Sequence, residues 1–597
     1  MEKEEINKEK HQNIPLQRKN FEKQENPLNE PKDGVSTSFA LQQPLQYRRN
    51  SIRSSDRREG TLSDSSLLFA QIIVCGTLFG IATILLWQLP FSTRFRNRLE
   101  PIASMPIQPD ELECSQTCRI QLVESIAQNL TFPIEYSQQP ALSTFSAWSR
   151  LINGAKNSLL IAAYKSSLRG KHVLGEQALN NISFQGEQMF DALIGAGLER
   201  GIQIKMVENA VAKDKGDNED GNSLAKRGVL NRRVLNLQKI FNTGVMHSKV
   251  IVADNKHFYL GSANLDWRSL TQKMEMGVLV QDCPCLSRDL AKIFEIYWQA
   301  SEKRCAKEVQ KIIQQMPPAF YNSQKPLRIS DGENNKLSVH LSQFTCKGRA
   351  SEFSQITVSF FGNHSANKWT IVEASPRSLN SPRRSWDLND IVEAIKNAKN
   401  QILIHVMDYF PMFLYTQKGK YWPPIDNAIR EAILRGVKIR IISTALHYPT
   451  KGLGFLKSLE VLGERQGVGS VTVVLPADSF AYQPVLQRDR RTHKKFLMTD
   501  DTLIIGTSNW SGDYFEDLGT GVAIVLKQTE KSKIPQIFKQ MKNLFERDWN
   551  SEYAHLLNIY IKNCLENEGE INEICEIEKD PKLLTNFVIN KTTISIK

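Results

Sequence analysis

The sequence predicts an α/β fold in which two similar α/β halves, related by a pseudo-twofold axis, share one site and follow one N-terminal transmembrane helix. Three observations lead to this prediction. Short apolar strands alternate with helices through most of the 597 residues, which is typical of α/β architecture. Two stretches of the chain repeat each other at long distance. One stretch near the N-terminus is apolar and uncharged.

The N-terminal region is predicted to be a disordered cytoplasmic tail over 1–65, followed by a transmembrane signal anchor over 66–90. The tail is rich in Gln, Asn, Lys, Glu and Ser and has no hydrophobic periodicity. The uncharged run 67–89 would reach roughly 35 Å as a helix, which is enough to span a bilayer. Because this run begins so far from the N-terminus, it does not resemble a cleaved signal peptide.

Arginines flank the apolar run on both sides, with five between 48 and 58 and three between 94 and 98. This bias predicts a cytoplasmic tail and a lumenal C-terminal part, the topology of a single-pass type II membrane protein. A lumenal location makes sequons candidates for glycosylation. The candidates are Asn129, Asn181, Asn363 and Asn590.

Eight of the nine cysteines follow the predicted anchor. An even number in an oxidising compartment indicates disulfides, and the sequence leaves their connectivity open. Cys114 and Cys118 form one close pair and Cys283 and Cys285 another, so these four are disulfide candidates. Close pairs can also bind zinc, which stays the alternative, although a lumenal location favours disulfides.

The composition is that of a globular protein, with 41% hydrophobic and 23% charged residues, and it excludes a wholly disordered chain. The net charge of +12 and the pI near 9.1 favour an anionic partner. Either nucleic acid or an acidic membrane surface would fit, because charge alone does not choose between them.

Most of the chain beyond the anchor repeats once. Residues 154–161 return as 397–404, and residues 200–204 return as 435–439. Each half also carries a late helix that ends in aromatic residues, over 286–298 and over 534–549. The predicted parts are a first half over 101–320, a second half over 321–555 and a C-terminal extension over 556–597.

Each half contains the same motif, in which a histidine and a lysine stand two residues apart, an aspartate follows, and Gly-x-x-Asn comes next. In a strand, side chains two residues apart point to the same face, so the histidine and the lysine can contact one ligand. Glycine permits a tight return that places the asparagine beside them. The sets are His247, Lys249, Asp254 and Asn264, and then His493, Lys495, Asp500 and Asn509.

An imidazole, an ammonium group and an amide from each half supply what phosphodiester cleavage requires: a nucleophile, a proton donor, and positive or polar groups for the non-bridging oxygens. A single His-x-Lys pattern followed by aspartate is weak evidence. Two copies in matching halves, each followed by Gly-x-x-Asn, carry the interpretation. A catalytically inactive binding protein is the alternative.

Both motifs resemble the HKD signature of the phospholipase D superfamily, a metal-independent family in which two motifs build one active site. The flanking segments 257–272, 506–512 and 547–549 are similar to the type II membrane branch that contains phospholipase D family members 3 and 4. The resemblance implies two phospholipase D-like halves, with no metal and no cofactor.

The resemblance also implies a phosphohistidine intermediate. His247 is assigned as the nucleophile and His493 as the acid that protonates the leaving oxygen, and the opposite assignment stays open. The two lysines and two asparagines of the motifs would bind the phosphoryl oxygens. Asn509 also lies in a sequon, but a glycan there would block the site, so glycosylation is not expected.

Four acidic residues have predicted supporting roles. Asp254 and Asp500 complete the catalytic motifs, but a strand and a turn separate them from the histidine face, so we expect their role to be structural. Glu275 and Asp517 lie 28 and 24 residues after their histidines and are expected to fix the imidazole tautomers. For these two, an ordinary surface charge is the alternative.

The chain departs from the branch after its first strand, where the branch usually has aromatic residues and this chain has Tyr164-Lys165-Ser166-Ser167. This departure bears on the substrate pocket. Basic residues also crowd the second motif, where they could guide a polyanion or belong to a solvated loop: Arg488, Arg490, Arg491 and Lys494.

The resemblance implies a 5′-to-3′ exonuclease that cuts single-stranded DNA or RNA in the endolysosomal lumen, reached through the endoplasmic reticulum and Golgi. The alternative is a phospholipase D or transphosphatidylase that acts on glycerophospholipids, because the same chemistry serves both. The expected partners are therefore a single-stranded nucleic acid or a phospholipid, and the membrane through the anchor. A homodimer stays open.

Overall fold

The structure is a computed structural model, and it describes residues 109–133, 135, 140–175, 180–210, 216–242, 244–330, 336–345, 379–414, 419–443, 449–464, 469–473, 490–517, 519–529 and 534–557. The predicted tail, the predicted anchor, the extension beyond Leu557 and the sequons at Asn363 and Asn590 lie outside these residues. Among the residues described, no helix has the length and apolar character that a membrane span needs.

The first part of the chain builds a mixed sheet. Its described strands are β1 (Arg119–Ser125), β2 (Leu142–Ser143), β3 (Ser158–Ala163), β4 (Ser166–Ser167), β5 (Gln203–Asn209), β6 (Asn231–Leu235), β7 (Val245–Met246), β8 (Lys249–Ala253), β9 (His257–Gly261), β10 (Leu265–Asp266) and β11 (Glu275–Gln281). The sheet order is β2-β1-β11-β9-β8-β3-β5-β6. Strands β4 and β10 pair separately, and β7 joins the second sheet.

The second part builds another mixed sheet. Its described strands are β12 (Leu327–Ser330), β13 (Lys336–Thr345), β14 (Ser385–Trp386), β15 (Gln401–Val406), β16 (Tyr409–Phe410), β17 (Lys438–Ser443), β18 (Gly469–Val473), β19 (Lys495–Met498), β20 (Thr502–Gly506), β21 (Trp510–Ser511), β22 (Gly519–Gln528) and β23 (Ala554–Leu556). The order is β12-β13-β22-β20-β19-β15-β17-β18-β23, with β14 beside β13. Strands β16 and β21 pair separately.

The two sheets repeat one strand order. The run β1-β11-β9-β8-β3-β5-β6 of the first sheet corresponds, strand by strand, to β13-β22-β20-β19-β15-β17-β18 of the second. In both sheets the last three strands of the run are parallel, and the strands that follow each histidine are antiparallel. The mixed α/β fold predicted from the sequence is therefore confirmed.

Helices cover both sheets. The described helices are α1 (Pro109–Thr117), α2 (Thr144–Gly154), α3 (Lys171–Leu174), α4 (Asn180–Ile194), α5 (Glu219–Lys226), α6 (Leu237–Phe241), α7 (Trp267–Thr271), α8 (Pro284–Ala300), α9 (Ala306–Gln315), α10 (Asp387–Asn397), α11 (Pro424–Leu434), α12 (Pro449–Glu464) and α13 (Gln536–Trp549). The predicted aromatic-ended helices are α8 and α13. Helix α13 begins two residues later than predicted, because Pro535 caps it.

The central core lies between the two sheets and contains side chains from both halves. Strand β22 shows how it forms, since side chains alternate between the two faces of a strand. Val522, Ile524 and Leu526 enter the central core, whereas Ala523 and Val525 face the outer helices of the second half. Helices α8 and α13 also contribute apolar side chains to this core. One shared core holds the halves together.

The repeated Arg-Gly segments have the same function in each half. Arg200 donates to the carbonyl oxygens of Ile152 and Ala155 at the end of α2, at 2.7 and 3.0 Å. Arg435 donates to the carbonyl oxygen of Ile395 at the end of α10, at 3.0 Å. Cations near a helix C-terminus satisfy carbonyls that the helix leaves unpaired. The repeat therefore reflects a repeated helix ending.

Two disulfides join α1 to the start of α8. Cys114 is bonded to Cys285, and Cys118 to Cys283. This confirms the predicted disulfides and supplies the connectivity that the sequence left open. Sulfurs paired in this way are not the thiolates that bind zinc, so the zinc alternative does not describe these four residues. Cys305 is exposed and has no disulfide partner among the described residues. Cys346, Cys564 and Cys575 lie outside those residues.

Candidate active site

The two histidine motifs meet because each histidine segment pairs with a strand of the other half. Strand β7 runs parallel to the start of β22, and the His247 backbone N–H donates to the Thr520 carbonyl oxygen at 2.7 Å. In the same way, Thr492 forms a bridge with Met274, and the His493 N–H donates to the Met274 carbonyl oxygen at 2.7 Å. The halves are therefore joined at the motifs themselves.

His247 is buried between two tyrosine rings. Its Nδ1 atom lies 2.7 Å from the Thr507 carbonyl oxygen, which can only accept, so Nδ1 donates its hydrogen there. The rings of Tyr164 and Tyr514 meet the imidazole edge to face, with centroids at 4.8 and 5.2 Å. Burial, reinforced by the Lys249 ammonium group, lowers the pKa of His247 well below its usual value. This environment favours a neutral ring with a lone pair on Nε2.

His493 has a different partner. Its Nδ1 atom lies 2.7 Å from Glu275 Oε2, and the Ser262 hydroxyl donates to the same oxygen at 2.6 Å. Burial raises the pKa of Glu275, so this carboxyl holds a proton more strongly than an exposed one. Burial and Lys495 lower the pKa of His493. An ionised Glu275 beside the ring acts in the opposite direction, because an adjacent negative charge favours the protonated imidazole. His493 and Glu275 together form a proton-sharing pair.

The lysines of both motifs are buried against the backbone of their own histidines. Lys249 Nζ donates to the His247 carbonyl oxygen and Lys495 Nζ to the His493 carbonyl oxygen, each at 2.8 Å. Burial lowers the pKa of Lys249 well below its usual value, and it lowers the pKa of Lys495 to about 7. An anion bound between these ammonium groups would stabilise both charges.

The asparagines complete the set of polar groups. The Asn509 amide donates to the Tyr514 hydroxyl at 3.1 Å, and the Asn264 backbone N–H donates to the Ser269 hydroxyl at 3.2 Å. Both side chains are buried, and among the described residues neither Oδ1 atom has a hydrogen-bond partner. Asn509 is thus held inside the site, where a glycan would not fit.

The aspartates of the motifs lie at the opposite ends of their strands from the histidines. Asp254 accepts three backbone hydrogen bonds, from Lys156, Asn157 and Ser158, at 2.8 to 2.9 Å. Asp500 accepts the equivalent three from residues 399–401, at 2.6 to 3.1 Å. Burial opposes ionisation of Asp254, but the backbone hydrogen bonds outweigh it and its pKa is lowered. Both aspartates thus hold the repeated segments that begin β3 and β15.

The structure corrects the predicted pairing of the supporting acids. Glu275 does not contact the histidine of its own half, because it lies on His493 across the interface. Pairing of β11 with β9 and of β22 with β20 makes Gly521 the equivalent of Glu275 in the second half. In the first half, the Thr507 carbonyl oxygen faces Nδ1 of His247 and sets its tautomer. Asp517 ends a π-helical turn, and its side chain is not described.

The basic residues around the second motif divide into two groups. Lys494 is fully buried and donates to Asp548 at 2.6 Å, and Arg490 donates to Gln272 at 2.9 Å, so these two hold the interior together. Arg491 instead lies on the same side of its strand as His493. Arg488 lies outside the described residues.

Lys494 belongs to a buried network behind the site that also joins the halves. Asp548 accepts from Lys494 and Arg547, and Arg547 also donates to Glu124 of β1, at 2.6 to 2.9 Å. Burial lowers the pKa of His405 to about 3, so this neighbour of Asp548 is a neutral histidine. Sequence reasoning missed this network, because its members are separated by up to about 420 residues.

Comparison with known proteins places the chain in a family. A family model described as "PLD3/4, PLD-like domain" matches residues 136–313 and 344–475. A Caenorhabditis elegans protein named "Probable phospholipase D" is 32% identical over 449 residues, which cover 74% of this chain and 71% of the relative.

Two vertebrate relatives are named "5'-3' exonuclease PLD3". The Xenopus laevis protein is 32% identical over 454 residues, which cover 75% of this chain and 83% of the relative. The Homo sapiens protein is 32% identical over 456 residues, which cover 74% of this chain and 82% of the relative. The chain therefore belongs to the PLD3/4 branch of the phospholipase D superfamily, whose members are phosphodiesterase hydrolases.

Proposed function

We propose that this chain is a 5′-to-3′ exonuclease that acts on single-stranded DNA or RNA through a phosphohistidine intermediate, without a metal. The observation that carries the chemistry is the unequal environment of two buried histidines: a carbonyl oxygen faces Nδ1 of His247, and a carboxylate faces Nδ1 of His493. The names of the vertebrate relatives support the choice of substrate.

The proposed reaction has two steps. The neutral His247 attacks phosphorus through Nε2, and His493 donates its proton to the oxygen of the departing strand, so a P–N bond forms as the P–O bond breaks. His493 then removes a proton from water, which attacks phosphorus and releases His247. Lys249 and Lys495, with the amides of Asn264 and Asn509, stabilise the charge on the non-bridging oxygens.

Two features of the site support nucleic acid over a glycerophospholipid. The Tyr164 and Tyr514 rings are only partly buried, so each presents an aromatic surface beside His247 on which a base can stack. The site is also strongly cationic, which suits a polyanion more than a lipid with a choline headgroup. Two alternative hypotheses are a phospholipase D or transphosphatidylase and a catalytically inactive binding protein.

The proposed topology is that of a type II membrane protein, anchored by 66–90, with its catalytic part in the lumen on the route from endoplasmic reticulum and Golgi to endolysosome. The two disulfides support an oxidising compartment. Protease added to intact microsomes should remove the tail and spare the catalytic part. Digestion of the catalytic part would reverse the orientation.

The experiment offers the purified full-length protein a single-stranded oligonucleotide and, separately, phosphatidylcholine vesicles at acid pH. We expect stepwise release of nucleotides from the 5′ end, slowed by a 5′-phosphate that competes for the two lysines. His247→Asn and His493→Asn should each abolish turnover. Hydrolysis of the vesicles without hydrolysis of the oligonucleotide would establish the lipase instead, and no hydrolysis of either would establish the binding protein.

A further inference from the structure

The two halves differ beside their histidines in a way that breaks the internal repeat. Two residues before His493 stands Arg491, whereas two residues before His247 stands Val245. Strand pairing also makes Gly519 the equivalent of Lys273. Thr520 pairs with the residue before His247, and Met274 pairs with the residue before His493. Gly519 and Lys273 each come one residue before these paired positions. The second histidine therefore has two additional cations close by.

Backbone pairing places both cations on the same face as the reacting groups. The Met274 N–H donates to the Arg491 carbonyl oxygen, and the His493 N–H donates to the Met274 carbonyl oxygen, as in a parallel ladder. The bridge joins Met274 to Thr492, so these two side chains share one face. The residues before and after each of them point to the opposite face. Lys273 thus accompanies Glu275, and Arg491 accompanies His493.

Burial and charge agree with this placement. Lys273 is 6% exposed and Arg491 is 8% exposed, so both are turned inward rather than into solvent. Both contribute to lowering the pKa of His493, after burial and Lys495. Both side chains make other interactions in the structure as well. Burying cations is costly unless anions compensate them. The positive charge of Lys273 acts on the carboxylates of both Glu275 and Asp266, and a bound phosphate would add an anion beside the two cations.

We propose that Lys273 and Arg491 form a second phosphate subsite, which binds the phosphodiester next along the departing strand of a single-stranded nucleic acid. The inference rests on the proposed exonuclease function and deepens it. His493 protonates the departing oxygen, so the departing strand lies on its side of the site. The next phosphate of that strand then reaches the two cations two residues along the strand from His493, a distance of about 6.6 Å.

The subsite also determines the direction in which the nucleic-acid strand lies across the active site. The His247 side offers tyrosine rings for the nucleoside that stays on the enzyme, and the His493 side offers charge for the strand that departs. Phosphatidylcholine carries a single phosphate and a cationic headgroup, so it has no second anion for this position. A single-stranded nucleic acid repeats its phosphates and satisfies it.

The test compares three substrates: a dinucleoside monophosphate, a trinucleoside diphosphate, and the same trinucleotide with a neutral methylphosphonate at its second linkage. The last two differ only in the charge of that linkage. With the unaltered protein, we expect kcat/KM on the diphosphate to exceed that on the methylphosphonate by about tenfold or more, since a hydrogen bond to a charged group is worth that much. Lys273→Met with Arg491→Met should reduce this ratio towards one.

Lys396→Met is the control for loss of a positive charge elsewhere, because it removes one charge from an exposed lysine of α10 and should leave the ratio as in the unaltered protein. Arg491→Lys should keep part of the preference. An unchanged ratio in the double variant, with all three substrates still cleaved, overturns the subsite and spares the exonuclease. Failure of the unaltered protein to cleave any of the three overturns both.

Discussion

At the scale of single residues, the two histidines share a sequence motif but not an environment. A carbonyl oxygen accepts the His247 Nδ1 hydrogen and gives a protonated ring little stabilisation, whereas Glu275 stabilises positive charge on His493. A nucleophile must be neutral and an acid must be protonated. The difference therefore favours His247 as nucleophile and His493 as acid.

The first prediction tests this assignment with the leaving group. The leaving group of a p-nitrophenyl phosphodiester is a stable phenolate that needs no proton. His493→Asn should therefore still release a burst of nitrophenolate from this ester, whereas it should release no comparable burst of product from an ordinary oligonucleotide. We expect at least about a hundredfold smaller loss on the activated ester. His247→Asn should lose both activities.

Because His493 is also needed to activate water, the His493→Asn variant should accumulate a phosphohistidine. Mass spectrometry should find the modified residue at His247. A burst in His247→Asn instead, with the phosphoryl group on His493, would reverse the two roles.

The second prediction concerns pH. Burial lowers the pKa of Lys495 to about 7, so this lysine is charged below that pH and loses its charge as the pH rises through it. The charge binds the phosphoryl oxygens, so kcat/KM, which reports the free enzyme, should fall on the alkaline side and give an acidic optimum. Measuring kcat/KM on an oligonucleotide as a function of pH follows this fall, the alkaline limb of the profile.

Lys495→Arg provides the control, because its guanidinium stays charged. Its activity should be lower at the optimum, since the guanidinium has a different shape, but its alkaline limb should move upward. An alkaline limb at the same pH in this variant would mean that another group sets it.

At the scale of elements, the aspartates of the motifs act on strands rather than on substrate. Each caps three backbone N–H groups where a helix ends and the next strand begins. The aspartates hold the first residues of β3 and β15, and the opposite end of each strand leads to the active site. The aspartates therefore support catalysis through the position of β3 and β15.

The third prediction follows from those hydrogen bonds. Asp254→Ala or Asp500→Ala should lower the free energy of unfolding by about 1–3 kcal/mol, because three exposed or partly buried backbone N–H groups lose a charged acceptor. The rate per folded molecule should fall far less than in His247→Asn. Denaturant unfolding and active-site titration measure the two effects, with Asp501→Ala as the neighbouring control. A loss of rate equal to that of His247→Asn, at unchanged stability, would give the aspartates a direct chemical role.

At the scale of the whole molecule, one shared core, a buried charged network and crossed histidine segments join the two halves. The disulfides add a covalent clamp between α1 and α8, across 171 and 165 residues of chain. Links that close long loops restrict the unfolded chain most.

The fourth prediction tests this clamp. Cys118→Ser should lower the free energy of unfolding by about 2–5 kcal/mol, as measured by denaturant unfolding. Cys305→Ser, which removes an exposed thiol that has no disulfide partner among the described residues, should change it little. Peptide mapping without reduction should recover Cys114 with Cys285 and Cys118 with Cys283. Recovery of the opposite pairs would contradict the connectivity.

Much of this protein follows from local sequence. The α/β class is predicted from the alternation of strands and helices, and the internal repeat is visible in segments such as 154–161 and 397–404. The candidate reacting groups follow from a spacing of two residues, which puts His and Lys on one face. These features depend only on neighbours along the chain, so the sequence determines them.

Tertiary structure alone decided which groups meet across the halves. Glu275 contacts His493 rather than the histidine of its own half, Lys494 is buried instead of guiding a substrate, and Lys273 lies beside Arg491. The first and third of these contacts depend on the register between segments about 220 residues apart, and Lys494 also reaches Glu124, which is 370 residues away in the chain. A spacing rule reaches a few residues, whereas the register between distant strands is set by packing of the whole core.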